Sequence, residues 1–144
     1  MSEGMIQDRE SSRRFFVQVW KKFESGQPLQ QLEELVLGVI QEHPEYHDLL
    51  DRDEELLLQE FTPDMGVTNP FLHMGMHITI REQVKSDRPV GIRETYQNLA
   101  AKSASVHDLE HRIMECLGET LWSAQRNNTL PDEATYLDCV KRIS

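Results

Sequence analysis

Helical periodicity, interrupted at short intervals by proline and glycine, is the feature that most constrains how this chain can fold. Apolar residues recur three and four positions apart along most of the sequence, which is the spacing of one helix face. Sustained alternation of apolar and polar residues is missing, and so are the Asn-Gly and Asp-Gly pairs of tight hairpins. The sequence therefore predicts an all-α fold, a compact helical bundle of about six or seven helices.

The breaks between the predicted helices are marked by residues with known roles at helix ends. Gly26 ends the first helix, and Pro44 breaks the second and begins the third. Asn69 before Pro70 has the pattern of a cap followed by a first-turn proline, and Ser105 can cap a long helix. The predicted helices cover roughly residues 9–24, 29–43, 44–61, 70–85, 90–102, 105–126 and 131–143.

Length and charge bound the domain organisation and the partners. The chain has 144 residues and a formal net charge of -10. This length predicts a single helical domain over residues 1–144, with residues 1–8 as a disordered tail. Because nucleic acids and anionic membranes bind through cationic surfaces, we expect neither as a partner. A homodimer or a protein partner stays open.

The N-terminal segment and the cysteines bear on the compartment. The N-terminus has no apolar segment of an export signal, and no apolar run approaches the roughly 18 residues that span a bilayer. We therefore expect a cytoplasmic protein. Counting allows one disulfide between the two cysteines, Cys116 and Cys139. Since disulfides are rare in the cytoplasm, two reduced thiols are the expectation.

All six histidines occur in pairs with a spacing of four residues. Random placement of six histidines gives on the order of 0.2 such pairs. Residues four apart lie on one helix face with Cβ atoms about 5–6 Å apart, so two imidazoles can bind one metal ion. Three such helices meeting in a bundle would bring the imidazoles together. The pairs are His43 with His47, His73 with His77, and His107 with His111.

On helical wheels the histidines lie on or beside the apolar faces. His73 and His77 fall within the apolar stripe of the helix that begins at Pro70, and His107 and His111 lie at the margin of theirs. Inward positions of this kind are the ones from which bundle helices hold metal ions. The apolar stripe of the helix from Pro70 consists of Leu72, Met76, Ile80 and Val84, with Met74 at its flank.

Two glutamates, Glu54 and Glu110, occupy positions where a core residue is expected. A buried carboxylate without a partner is costly, and a metal ion or a protonated histidine would offset that cost. Arg81, in contrast, is expected at a solvated position. His43 precedes Pro44 and is therefore pushed out of the helical region, so its role is open between metal ligand and helix cap.

These observations predict a histidine-rich metal centre that holds one ion, or two ions bridged by carboxylate. Iron, zinc and manganese are the expected metals. A metal-dependent oxidoreductase or hydrolase stays open beside a sensor, store or structural staple, with no catalytic residue assigned. The alternative is a metal-free, acidic protein-interaction module with a buried His/Glu network. The candidate ligands are His43, His47, Glu54, His73, His77, His107, Glu110 and His111.

Four segments also carry a resemblance to a known family. They are NPFLHMGMHITIREQ, DRPVGIRETY, HDLEHRIMECLGETLWSAQR and LPDEATYLDCVKR. Together they resemble a bacterial family that is known as domain of unknown function 1841, and the resemblance extends from about Phe15 to Ile143. It implies a small bacterial cytoplasmic protein, and it implies no activity.

Overall fold

The computed structural model of the protein describes residues 2–52 and 69–143, with side chains from residue 11 onward. Within these ranges the chain forms seven α-helices and no β-strand, so the predicted all-α class is confirmed. None of the helices in the described ranges is long and apolar enough to cross a membrane. The helices are α1 (Ser2–Glu24), α2 (Gln31–Gln41), α3 (His47–Asp51), α4 (Pro70–Ser86), α5 (Ile92–Lys102), α6 (Val106–Asn127) and α7 (Glu133–Lys141).

Several helix ends coincide with the residues that the sequence marked. Gly26 has a φ of 72°, in the left-handed region that glycine adopts without strain, and α1 ends two residues before it. The side-chain oxygen of Asn69 accepts the backbone N–H of Phe71 at 3.0 Å at the start of α4. The hydroxyl oxygen of Ser105 accepts the backbone N–H of Asp108 at 3.3 Å and so caps α6. Local chemistry therefore sets these boundaries.

Two boundaries differ from the prediction. α1 begins at Ser2, so residues 2–8, for which a disordered tail was predicted, have a helical backbone. The third helix starts as a short 3₁₀ turn, Pro44–Tyr46, before α3 begins. His43 explains this start, because it leaves the helical region (φ -125°, ψ 64°) ahead of the proline, as the steric restriction before proline requires.

The described chain divides into two compact units, Met1–Gly75 and Met76–Ser144. The division falls inside α4, which starts in the first unit and ends in the second. The sequence marks no break at this position, and its length suggested one domain. Each unit has buried apolar residues of its own.

In the first unit, α1 packs against α2 and α3. Nε1 of Trp20 donates a hydrogen bond of 2.9 Å to Oδ1 of Asp51, which ties α1 to α3. Nζ of Lys22 binds the buried carboxylate of Glu33 at 2.7 Å, which ties α1 to α2. The buried apolar residues of these helices are Phe16, Val17, Val19, Trp20, Val36, Val39, Ile40 and Leu50.

In the second unit, α5, α6 and α7 pack against one another. α6 supplies the largest share of the buried side chains, which agrees with the broad apolar arc seen in its sequence. Tyr136 of α7 also donates a hydrogen bond of 2.7 Å from its hydroxyl to Oε1 of Gln83 in α4. The core of this unit consists of Ile80, Ile92, Leu109, Ile113, Met114, Cys116, Leu117, Tyr136 and Val140.

The apolar stripe predicted for α4 is correct only in part. Ile80 is completely buried, as expected. Leu72 is 62% exposed, however, while Met74, placed at the flank by the wheel, is only 1% exposed. A helical wheel ranks positions by their neighbours on the same helix, whereas burial depends on the other helices that pack against it.

Cys116 and Cys139 form a disulfide that joins α6 to α7, with their Cα atoms 5.8 Å apart. The expectation of two reduced thiols is therefore wrong. That expectation rested on the compartment alone. The sequence does not show that two cysteines separated by 23 positions, on different helices, become neighbours at disulfide distance.

Replacing Ser105 by alanine should lower the free energy of unfolding by about 1 kcal/mol, because the substitution removes the side-chain cap of α6. Urea unfolding followed by circular dichroism measures the change. Ser105→Asp is the matched control, since aspartate caps equally well and should leave the stability close to that of the unchanged protein. Equal losses in both variants would show that the cap does not stabilise α6.

Candidate metal centre

Glu110 lies at the centre of a buried hydrogen-bond network in the second unit. Its side chain is fully buried, and its Oε1 lies 2.7 Å from Nδ1 of His77. Nε of Arg81 donates to Oε1 at 3.2 Å and to Oε2 at 3.1 Å. The hydroxyl of Tyr96 donates to Oε2 at 2.5 Å. The carboxylate therefore connects α4, α5 and α6.

The pKa of Glu110 lies below its usual value although the group is buried. Burial is the largest single influence and raises this pKa. The hydrogen bonds from His77 and Tyr96 and the charge of Arg81 lower it, and their combined effect is larger than that of burial. Glu110 is therefore ionised at neutral pH and only accepts hydrogen bonds. It follows that Nδ1 of His77 donates to Glu110, so that Nε2 carries the lone pair in the neutral ring.

Three imidazoles converge beside this carboxylate. The ring of His77 lies 4.7 Å from that of His107 and 5.1 Å from that of His111, and the last two rings are 4.3 Å apart, centroid to centroid. One nitrogen of each ring lies within 4.8 Å of one nitrogen of each of the others. His77 is completely buried, and the other two are partly exposed. Donors of one type thus meet at one place in the second unit.

The environment of His111 favours its neutral form. Burial lowers the pKa of this imidazole most, and the positive charges that His107 and His77 carry when protonated lower it further. A neutral imidazole is the form that binds metal ions.

Two histidines of the first unit, His43 and His73, are in ring contact. Nδ1 of His43 donates a hydrogen bond of 2.7 Å to the carbonyl oxygen of Val39, which leaves Nε2 as the lone-pair nitrogen of the neutral ring. The ring of His73 meets that of His43 edge to face at 4.9 Å, and Tyr46 stacks on His43 at 5.4 Å. His43 is buried and occupies the N-cap position of the 3₁₀ turn, where its side chain makes no cap bond.

The remaining candidates are placed differently. His47 has its Nε2 2.9 Å from the carbonyl oxygen of Ile40 and its ring 4.3 Å from that of Trp20. It is not among the histidines whose nitrogens converge in the part of the chain that the structure describes. Glu54 lies outside the described residues. Glu110 supports His77 by a hydrogen bond and is likewise not among the converging donors.

Two residues of the network were not recognised in the sequence. Arg81, expected in solvent, is bound to Glu110, and Tyr96 was assigned no role. A signal existed for Arg81, because it follows His77 by four positions and therefore lies on the same face of α4. No signal existed for Tyr96, since only the packing of α5 against α6 brings its hydroxyl to Glu110.

The converging residues of the second unit can be tested against the geometry of a metal ion. Metal–nitrogen bonds are about 2.0–2.1 Å long, so two ligands of one ion lie at most about 4.2 Å apart. The three nitrogens lie within 4.8 Å of one another, so shifts of about half an ångström in their positions bring them into this range. Imidazole suits zinc, iron, copper and nickel. His77, His107 and His111 therefore fit a transition metal in donor type and nearly in distance.

A family model described as a domain of unknown function (DUF1841) matches residues 8–142. This match covers most of the chain, so the protein belongs to that family, and the resemblance seen in the sequence is confirmed. The family description assigns no function. No curated protein and no solved structure matches the chain.

Replacing Tyr96 by phenylalanine should lower the free energy of unfolding by about 1.5–3 kcal/mol, because a hydrogen bond to a buried ionised carboxylate is lost. Urea unfolding of Tyr96→Phe, Glu110→Gln and the double variant forms a double-mutant cycle. We expect the two effects to be strongly non-additive. Additive effects would show that the hydroxyl of Tyr96 does not stabilise Glu110.

Proposed function

We propose that this protein binds a transition metal ion through His77, His107 and His111 in a mono- or dinuclear centre. The observation that carries the proposal is the convergence of one nitrogen from each of these rings within 4.8 Å. The hydrogen bond from His77 to Glu110 supports it, because metal-binding histidines commonly donate their other N–H to a carboxylate.

His73 and His43 stay candidate ligands of the first unit, where their rings are in contact. The hydrogen bond of His43 to Val39 puts the lone pair of its neutral ring on Nε2, and orientation by such a second hydrogen bond is common among metal-binding histidines. Glu110 then acts through His77 instead of binding the ion itself. His47 has no part in this arrangement.

The donor set bears on which metal and which use are proposed. The proposed metals are iron, zinc or manganese, since neutral imidazoles favour transition metals over the hard cations magnesium and calcium, which prefer oxygen. If three histidines bind, a position stays open for water and the centre suits a metal-dependent enzyme. If further protein donors fill the shell, the centre suits a sensor, a store or a structural staple.

Elemental analysis of untagged protein, purified without chelator or nickel resin, tests the proposal directly. We expect one or two equivalents of a transition metal per chain. If no metal is present, and none is taken up on titration with iron, zinc or manganese, the proposal is wrong.

The ligand assignment is tested by replacing His77 and His111 together with alanine. Because two of the converging donors are lost, the double variant should retain less than a tenth of the metal bound by the unchanged protein. His47→Ala is the matched control, since its ring lies against Trp20, and it should keep the full metal content. Full metal in the double variant, or equal loss in the control, contradicts the assignment.

Glu110→Gln tests the supporting role of the carboxylate. Every histidine stays in place, but His77 loses its charged partner, so the affinity for the metal should fall by about 10- to 100-fold. Competition with a chromophoric chelator measures the affinity. Complete loss of binding with an intact fold would instead indicate that Glu110 is itself a ligand.

A metal-free interaction module is the second candidate, and one observation favours it. Glu110 receives hydrogen bonds from His77, Arg81 and Tyr96, so its charge is offset within the protein without an ion. In this alternative the histidines belong to a polar network, and the protein works by binding a protein partner or a second copy of itself. The absence of bound metal in the elemental analysis would make it the leading candidate.

We also propose that the protein is bacterial and works in the cytoplasm. The support for this location is the resemblance to the family. In a reducing compartment a disulfide is usually transient, catalytic or redox-sensing. A role of this kind is therefore expected for the bond between Cys116 and Cys139.

A further inference from the structure

The disulfide between α6 and α7 is reached from solvent through two clefts of the second unit. Both Cys116 and Cys139 line a cleft of about 290 Å³ and a second one of about 540 Å³. Cys116 is 4% exposed, whereas Cys139 is only partly buried. A small molecule can therefore approach the sulfur atoms although the bond lies at the edge of the core, and Cys139 is the more accessible of the two.

Charged residues of both signs line the larger cleft together with the two cysteines. Arg112 and Arg142 line it together with Glu115 and Glu119. Guanidinium groups bind carboxylates, and carboxylates bind ammonium groups. This lining suits a small zwitterionic molecule, one that carries carboxylates as well as an ammonium group. A short peptide thiol is small enough to enter a space of this size.

The difference in exposure between the two cysteines favours one direction of bond cleavage. Cys116 is 4% exposed, whereas Cys139 is only partly buried, so an attacking thiolate reaches Cys139 more readily. Cys116 is therefore the sulfur expected to leave.

We propose that Cys116–Cys139 is a thiol–disulfide exchange site for a small zwitterionic peptide thiol. The thiolate of the peptide attacks Sγ of Cys139, a new S–S bond forms between them, and Cys116 leaves as a thiolate. A second molecule of the peptide thiol then attacks the mixed disulfide at the peptide sulfur. This step releases the oxidised peptide dimer and leaves Cys139 reduced, so two peptide thiols are oxidised for each protein disulfide reduced.

The proposal does not depend on the metal centre, since its residues lie on α6 and α7 and include none of the proposed ligands. It supplies a use for the disulfide in a reducing compartment. Breaking the bond removes the covalent link between the two helices while the buried contacts of Tyr136 and Val140 remain.

The first test exposes the oxidised full-length protein to reduced glutathione as the zwitterionic probe. The reaction is stopped with acid, free thiols are labelled with N-ethylmaleimide, and the peptides are mapped by mass spectrometry. We expect the tripeptide on Cys139 and the label on Cys116. An adduct chiefly on Cys116, or reduction that occurs only at the rate of global unfolding in denaturant, overturns the proposal.

The second test examines whether the charged cleft recognises the thiol. The rate constant for reduction of the disulfide by glutathione is divided by the rate constant for its reduction by uncharged 2-mercaptoethanol. Arg142→Gln should lower this ratio by about threefold, the effect of losing one exposed charge pair. Arg126→Gln is the matched control, because Arg126 lies over the ring of Trp122 and lines neither cleft. A ratio that does not change in Arg142→Gln contradicts the recognition.

Single-cysteine variants keep the site testable if reduction is slow. In Cys116→Ser, the thiolate of Cys139 should react with oxidised glutathione to form the mixed disulfide and release one reduced tripeptide. In Cys139→Ser, the more buried Cys116 should react at least tenfold more slowly. Equal rates in the two variants, or reduction of the unchanged protein by a protein dithiol but not by glutathione, would refute the assignment to a small thiol.

Discussion

The buried charge of Glu110 is the constraint on which the second unit depends. A carboxylate removed from water is tolerated only when donors replace the lost hydration. His77 and Arg81 supply donors from α4, Tyr96 supplies one from α5, and Glu110 itself belongs to α6. The same bonds therefore fix three helices around one point. They also bring α6, with His107 and His111, against the ring of His77.

The proton on His77 connects this structural role to the proposed function. Because the ionised Glu110 accepts from Nδ1, the lone pair of the neutral ring is on Nε2. The carbonyl of Val39 orients His43 in the same way in the first unit. Orientation of imidazoles by a second hydrogen bond is typical of metal ligands, and it also belongs to a polar network that needs no metal. The two proposals therefore differ in whether the lone pairs bind an ion.

Much of the fold and part of the candidate site could be predicted from the sequence. The helical class, the ends at Gly26 and Ser105 and the inward position of Glu110 were all apparent, because each follows from residues within one or two turns. The partners of Glu110 were not, since His77 is 33 positions away and Tyr96 is 14. The division of the chain inside α4 has no local signal either.

By itself, the sequence determined the all-α class, most helix ends and the pairing of histidines on helix faces, because backbone preferences and the helical repeat act over only a few residues. The tertiary structure alone decided which paired histidines converge, that His47 rests against Trp20, and that Arg81 reaches Glu110. It also decided that the two cysteines meet. These outcomes depend on the packing of helices that are distant in the chain, and helix periodicity contains no information about which helices will pack together.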